Sequence, residues 1–265
     1  MPWASNPIFE PRGPTEKTTT DVEAARVDGD SGETSGSTSP EPKASHASKF
    51  RPPSDHFTPH QIFYIFVLDG IGSGIIGGGI NFAIAYALYH NRGTKDSPIR
   101  LFQFPNTLAG DTAVTIFIQF LTTWVIEAVL VNFDLRKGGV QAIGFIPQPQ
   151  WRYLRWFMFL DRPEQTDEVR SIKHWLWFLF SQILRSLILA VIFFPFIFGI
   201  SVGLLTLVGR KQGDWDWYFP PKWAPEIFKL VQGAVLGLLF TPPMVIFWLA
   251  RCGWALRDTE QQPDS

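Results

Sequence analysis

Between Ile62 and Tyr89 the chain runs for 28 residues with one charged side chain, Asp69. At about 1.5 Å per residue a helix of that length crosses a hydrocarbon layer about 30 Å thick, with some tilt. Six of the fourteen residues from Leu68 to Asn81 are glycine, and they admit two readings. Gly72, Gly74 and Gly77 spell G-x-G-x-x-G, the turn that meets a pyrophosphate in a dinucleotide-binding unit. That unit needs an acidic residue at the end of a second strand. Asp96 stands at roughly the right distance but in a polar loop, and no alternation of strand and helix follows. Wound as a helix, the same stretch places Gly70, Gly74 and Gly78 in one groove. Such grooves let helix backbones approach closely in lipid. The neighbouring stripe is Asp69, Ser73, Gly77 and Asn81, whose polar groups must face protein. Thr58-Pro59-His60-Gln61 reads as a capping box with proline at the first helical position. The helix reading accounts for more residues.

Three further apolar runs follow, so the expected fold is all-α: a polytopic four-helix transmembrane bundle. The spans are expected at about 62–89, 112–133, 175–209 and 228–250 within a domain over 56–257. Residues 1–55 are rich in Ser, Thr, Pro and Glu and carry nine acidic against six basic side chains, a composition expected to stay disordered. No apolar segment occurs before residue 50, so insertion is expected to begin with the first span. A short polar tail covers 258–265. The third run is interrupted by Gln182, Arg185 and Pro195, and a bend is expected near the proline; the fourth carries a Pro242-Pro243 break. Two more small-residue pairs, Gly199/Gly203 and Gly233/Gly237, are candidate packing contacts. Trp151 to Leu160 is too short to span; it reads either as an interfacial helix on the membrane or as one docked on the bundle. The Trp-rich loop over 214–223 suits the headgroup layer.

Three charged residues, Asp69, Glu127 and Arg185, lie well in from the ends of the spans. Counting at about 1.5 Å per residue puts Asp69 about 10 Å, Glu127 about 9 Å and Arg185 about 15 Å from the same membrane face. An intramembrane charge is a candidate functional site and needs a partner. Asp69, Glu127 and Arg185 are therefore expected to cluster, with Ser73, Asn81, Gln119 and Gln182; the alternative is that Arg185 and Glu127 each snorkel to the interface at their own helix ends. Twelve Lys/Arg flank the spans on the side of the tail, the 134–174 loop and the C-terminus, against seven on the other, so both termini are expected to face the cytosol of an endomembrane, such as the endoplasmic reticulum.

Net charge is −1, which gives no general affinity for nucleic acid. One cysteine, Cys252, rules out an internal disulfide and a Cys-rich metal site. Pro59 separates His56 from His60, and no third ligand is near, so no metal or other cofactor is expected. No G-x-S-x-G, H-E-x-x-H or C-x-x-C occurs, and no catalytic residue is assigned. The polar Ser/Thr tail, the Asp69-Gly-x-Gly-x-Gly-x-x-Gly-Gly-Gly79 stretch and the Trp-rich third and fourth spans together resemble a family of uncharacterised fungal four-span membrane proteins. The resemblance covers about 55–257 and implies the fold, without an activity or functional residues. The expected partners are the lipid bilayer and either further copies of the chain or a membrane complex. The expected role is non-enzymatic helix association; the alternative is a small oligomeric transporter or channel using the intramembrane charges.

Overall fold

The computed structural model describes residues 51–90, 98–104, 106–158, 160, 172–211, 213, 215–219 and 223–261. Most of the tail expected over 1–55, and the last four residues of the C-terminal tail, lie outside the described residues. The G-x-G-x-x-G residues lie inside a helix, so the dinucleotide reading does not hold.

Among the described residues four helices are long and apolar enough to cross a membrane: α1 (Pro59–Tyr89), α2 (Leu108–Lys137), α4 (Ile172–Val208) and α5 (Ala224–Gln261). Between α2 and α4 lies the short α3 (Arg152–Phe157). The capping box at α1 is present: Thr58 N donates to Gln61 Oε1 at 2.9 Å, and Gln61 N donates to Thr58 Oγ1 at 3.1 Å. The helix then widens to π-helical bonding from Phe63 to Ile71, a local form that recurs at functional positions. Thr107 caps α2, and Gly138 ends it in the left-handed region at φ 71°, where a Cβ is disfavoured. All four helices are longer than the expected spans; in α2 and α5 the charged end residues Asp111, Lys137 and Glu226 are helical too. The expected break at Pro242-Pro243 is absent: α5 runs through both prolines, as α4 does through Pro195.

Residue pairs fix the helix directions. Asp111 meets Lys229 and Trp124 meets Trp248, so α2 and α5 run parallel. Tyr64 meets Asp134 and Tyr89 meets Asp111, so α1 runs against α2. Phe117 meets Phe194 and Trp124 meets Gln182, so α4 also runs against α2. α1 packs mainly on α5, and α4 on α2. The core is aromatic: Trp124 lies 5.0 Å from Trp248 and 4.9 Å from Phe247, and Phe120 lies 4.6 Å from Phe240. Each such pair adds about 0.5–1.5 kcal/mol beyond area burial.

The segment before α1, the loop after α2 and the end of α5 meet at one end of the bundle. Ser54 N donates to Ala142 O, Ile143 N to Leu249 O and Trp254 Nε1 to Ile146 O. At the other end, unexpected from the sequence, is a four-stranded sheet. It comprises β1 (Ile99–Arg100), β2 (Asn106–Thr107), β3 (Arg210–Lys211) and β4 (Trp217–Phe219), in the order β2-β1-β4-β3. Its β1–β2 pair is parallel and the other two pairs are antiparallel. The buried Asp216 staples it, accepting from the backbone N–H of Phe102, Gln103 and Trp217. Part of the expected headgroup loop is therefore a strand.

Large apolar side chains are exposed along the helices while several charged ones are buried. Ile75 and Phe196 are 71% and 70% exposed, while Thr112, Thr123, Glu127, Arg185 and Lys229 are buried. Burying charge while exposing large apolar side chains is costly in water and favourable in lipid.

Candidate functional site: the polar interior of the bundle

The closest helix approach is along the seam of α1 and α5. A Cβ added to Gly74 would stand 2.8 Å from Leu238 Cγ and 3.2 Å from Ala234 O. At Gly78 it would stand 3.0 Å from Leu230 O, and at Gly70 3.1 Å from the Pro242 ring. From the other side, Gly237 would meet Ser73 O at 2.7 Å, and Gly233 would meet Asn81 Nδ2 and Gly77 O at 2.5 Å. These five glycines are the two faces of one contact. Gly199 and Gly203, expected as a further packing pair, have no atom of the described residues within 4 Å of a Cβ, so no described helix packs on them. They point off α4, whose apolar stretch is the least buried of the four.

Polar side chains fill the space beside the seam. Ser73 Oγ and Thr241 Oγ1 are hydrogen-bonded at 2.6 Å, and Asn81 Nδ2 donates to Gly77 O at 2.8 Å. Gln119 Nε2 lies against Gly77 and donates to Thr123 Oγ1 at 3.5 Å. Trp124 Nε1 donates to Gln182 Oε1 at 2.9 Å.

Asp69, Glu127 and Arg185 do not form the single cluster weighed from the sequence. Asp69 and Glu127 interact with each other and with a third carboxylate, Asp134, whose Oδ2 accepts from Tyr64 Oη at 2.7 Å. Asp69 Oδ2 and Glu127 Oε2 are buried without a hydrogen-bond partner. Arg185 lies elsewhere. Its Nε donates to Phe157 O and its Nη2 to Trp156 O, both at 2.9 Å, and Nη1 donates to Ser181 O at 3.0 Å and to Ser181 Oγ. The guanidinium also sits 4.7 Å above the Trp156 ring. The physical reason is azimuth: α4 packs on α2 and α1 packs on α5, so equal depth does not bring Arg185 to Asp69. Arg185 instead caps the open carbonyls of α3 and pins that helix to the bundle, where Phe157 packs on Trp124 and Phe247.

A second buried charge, missed in the sequence, is Lys229. It is 1% exposed and pairs with Asp111 at 3.2 Å, while also donating to Asp111 O and Thr115 Oγ1. Tyr89 Oη donates to Asp111 Oδ2 at 3.1 Å, and Gln232 Nε2 donates to Thr112 O at 3.4 Å. The signal was available: Glu226, Lys229 and Gln232 recur every third residue, and Asp111, Thr112 and Thr115 share a helix face. Among the described residues no three His, Cys, Asp or Glu side chains are grouped to hold a metal.

An uncharacterized protein of Saccharomyces cerevisiae, YHL026C, is 32% identical over 247 residues, covering 72% of this chain and 78% of that protein. The family described as "Protein of unknown function (DUF2456)" matches residues 155–249. The chain belongs to this family. The matched region takes in the end of α3, all of α4 and α5 as far as Leu249. An uncharacterized protein of Schizosaccharomyces pombe, C594.02c, is 36% identical over 190 residues; the match covers 72% of this chain but 36% of that protein's length. No solved structure matches.

Proposed function

We propose that the chain is a non-enzymatic integral membrane protein of an endomembrane, with both termini cytosolic, and that it works by helix association. Its partner is a second copy or another membrane subunit, and the docking helix is α4. One observation carries this reading: Gly70, Gly74, Gly78, Gly233 and Gly237 are closed by a neighbouring helix, whereas Gly199 and Gly203 are open. A glycine inside a helix costs about 1 kcal/mol relative to alanine, and close packing of a partner offsets that cost. The test is Gly199→Leu combined with Gly203→Leu, followed by crosslinking in membranes and native electrophoresis. The crosslinked species should disappear while the melting of the single chain stays unchanged. Gly79→Leu, at another open position, serves as the control. An unchanged assembly in the double variant removes α4 as the docking helix.

A second reading, a small oligomeric transporter, is favoured by the unpartnered buried oxygens of Asp69 and Glu127. Intramembrane carboxylates commonly lie on ion or proton paths. Ion flux into reconstituted vesicles that is lost in Glu127→Gln would support it; flux equal to that of empty vesicles would remove it.

A further inference from the structure

The end of the bundle formed by the segment before α1, the α2–α4 loop and the end of α5 is built from basic and aromatic side chains. Its described residues include seven cations, Arg51, Arg136, Lys137, Arg152, Arg155, Arg251 and Arg257, and four acidic residues, Asp55, Asp134, Asp258 and Glu260. Asp134 is engaged by Tyr64, and Asp55 lies 4.0 Å from Arg257. Arg51, Lys137 and Arg152 remain exposed. On α3, Arg152 is flanked by Trp151 and Tyr153, which are 77% and 81% exposed although both are large aromatics. The inner side of α3 is fixed by Arg185 and Phe157, so the outward rings and Arg152 are held at the rim of the apolar belt.

This arrangement matches the layer where hydrocarbon gives way to headgroups. Amphipathic rings settle there, and arginine meets phosphate oxygens through two parallel N–H groups. We infer that the α3 end of the bundle, through Arg152, Lys137 and Arg51 beside Trp151 and Tyr153, binds the headgroups of anionic phospholipids in the adjacent leaflet. The aromatic rings set depth without regard to lipid charge. The exposed cations select acidic headgroups over zwitterionic ones, each strengthening attraction to an anionic surface about fivefold.

The inference rests on the membrane reading above, and its test separates the two. The full chain is reconstituted into vesicles of equal parts phosphatidylcholine and phosphatidylserine, re-extracted in mild detergent, and its retained lipids are counted by mass spectrometry. The expected result is phosphatidylserine enriched at least about fivefold over phosphatidylcholine. Enrichment should fall to the vesicle ratio in the combined variant Arg51→Gln, Lys137→Gln, Arg152→Gln. It should persist in Arg210→Gln, Lys211→Gln, which alters exposed cations at the opposite end. Retention in the vesicle ratio by the unaltered chain overturns the inference, as does equal enrichment in the triple variant or equal loss in the opposite-end pair. A chain that never enters the vesicles overturns the membrane reading too; one that enters without preference overturns only the headgroup assignment.

Discussion

Gly237→Ala places a methyl group where a Cβ would stand 2.7 Å from Ser73 O and 2.8 Å from Gly74 N. Both are backbone atoms of a packed helix, so no side chain can swing aside, and α1 and α5 must separate. Overpacking of this kind costs about 1–3 kcal/mol. Alanine also favours the helix over glycine by about 1 kcal/mol, which masks part of the loss in a single measurement. Gly79→Ala isolates the packing cost, because a Cβ there has nothing within 4 Å and the substitution gains the same helical preference. Subtracting one variant from the other leaves the clash: Gly237→Ala should be about 1–3 kcal/mol less stable than Gly79→Ala. Reversible unfolding by sodium dodecyl sulfate in mixed micelles, followed by tryptophan fluorescence, measures both. Equal stabilities would refute the close seam, and with it the assignment of Gly70, Gly74, Gly78, Gly233 and Gly237 to one contact.

Three other perturbations reach the polar interior. Lys229→Met leaves Asp111 beside an apolar chain and should destabilise by about 3–5 kcal/mol; adding Asp111→Asn should recover much of that, and a purely additive double variant would contradict the pair. Arg185→Leu frees the carbonyls of Trp156 and Phe157, so protease should cut the α3 segment faster in micelles, and an unchanged cutting rate would contradict the clamp. Because Arg185 touches neither carboxylate, its effect on stability should add to that of Asp69→Asn within about 0.5 kcal/mol; a larger coupling would restore the three-charge cluster.

Much of the helical frame was legible because apolar runs of this length have few alternatives. The α1 start was also legible, since Thr58, Pro59 and Gln61 act locally on one another. The starts of α2 and α5 were read short: Asp111 falls just outside its expected span and Lys229 just inside its own, and each reads as an end charge until it supplies the other's partner. The sheet left no periodic trace, because strands of two or three residues are too short to alternate. Gly199/Gly203 and Gly233/Gly237 have the same spacing, and spacing cannot say which pair a neighbouring helix covers. Arg185 shows the same limit: depth follows from counting residues, whereas azimuth depends on which helices pack together. Lys229 shows that a long side chain near a helix end can turn inward when an aspartate and a threonine await it.

We propose that the chain crosses a bilayer four times, with its α3 end in the cytosol and its sheet on the far side. Cys252 is buried, so the native thiol stays silent and single cysteines can be introduced at exposed positions. Gln150→Cys marks the α3 end and Gly213→Cys the sheet end, both at exposed residues. Sealed microsomes with the cytosolic face outward are treated with a membrane-impermeant maleimide. The expected result is labelling of Gln150→Cys at once and of Gly213→Cys only after detergent opens the vesicles. Labelling of both positions in sealed vesicles would contradict the four-span arrangement, and labelling of Gly213→Cys alone would reverse its orientation.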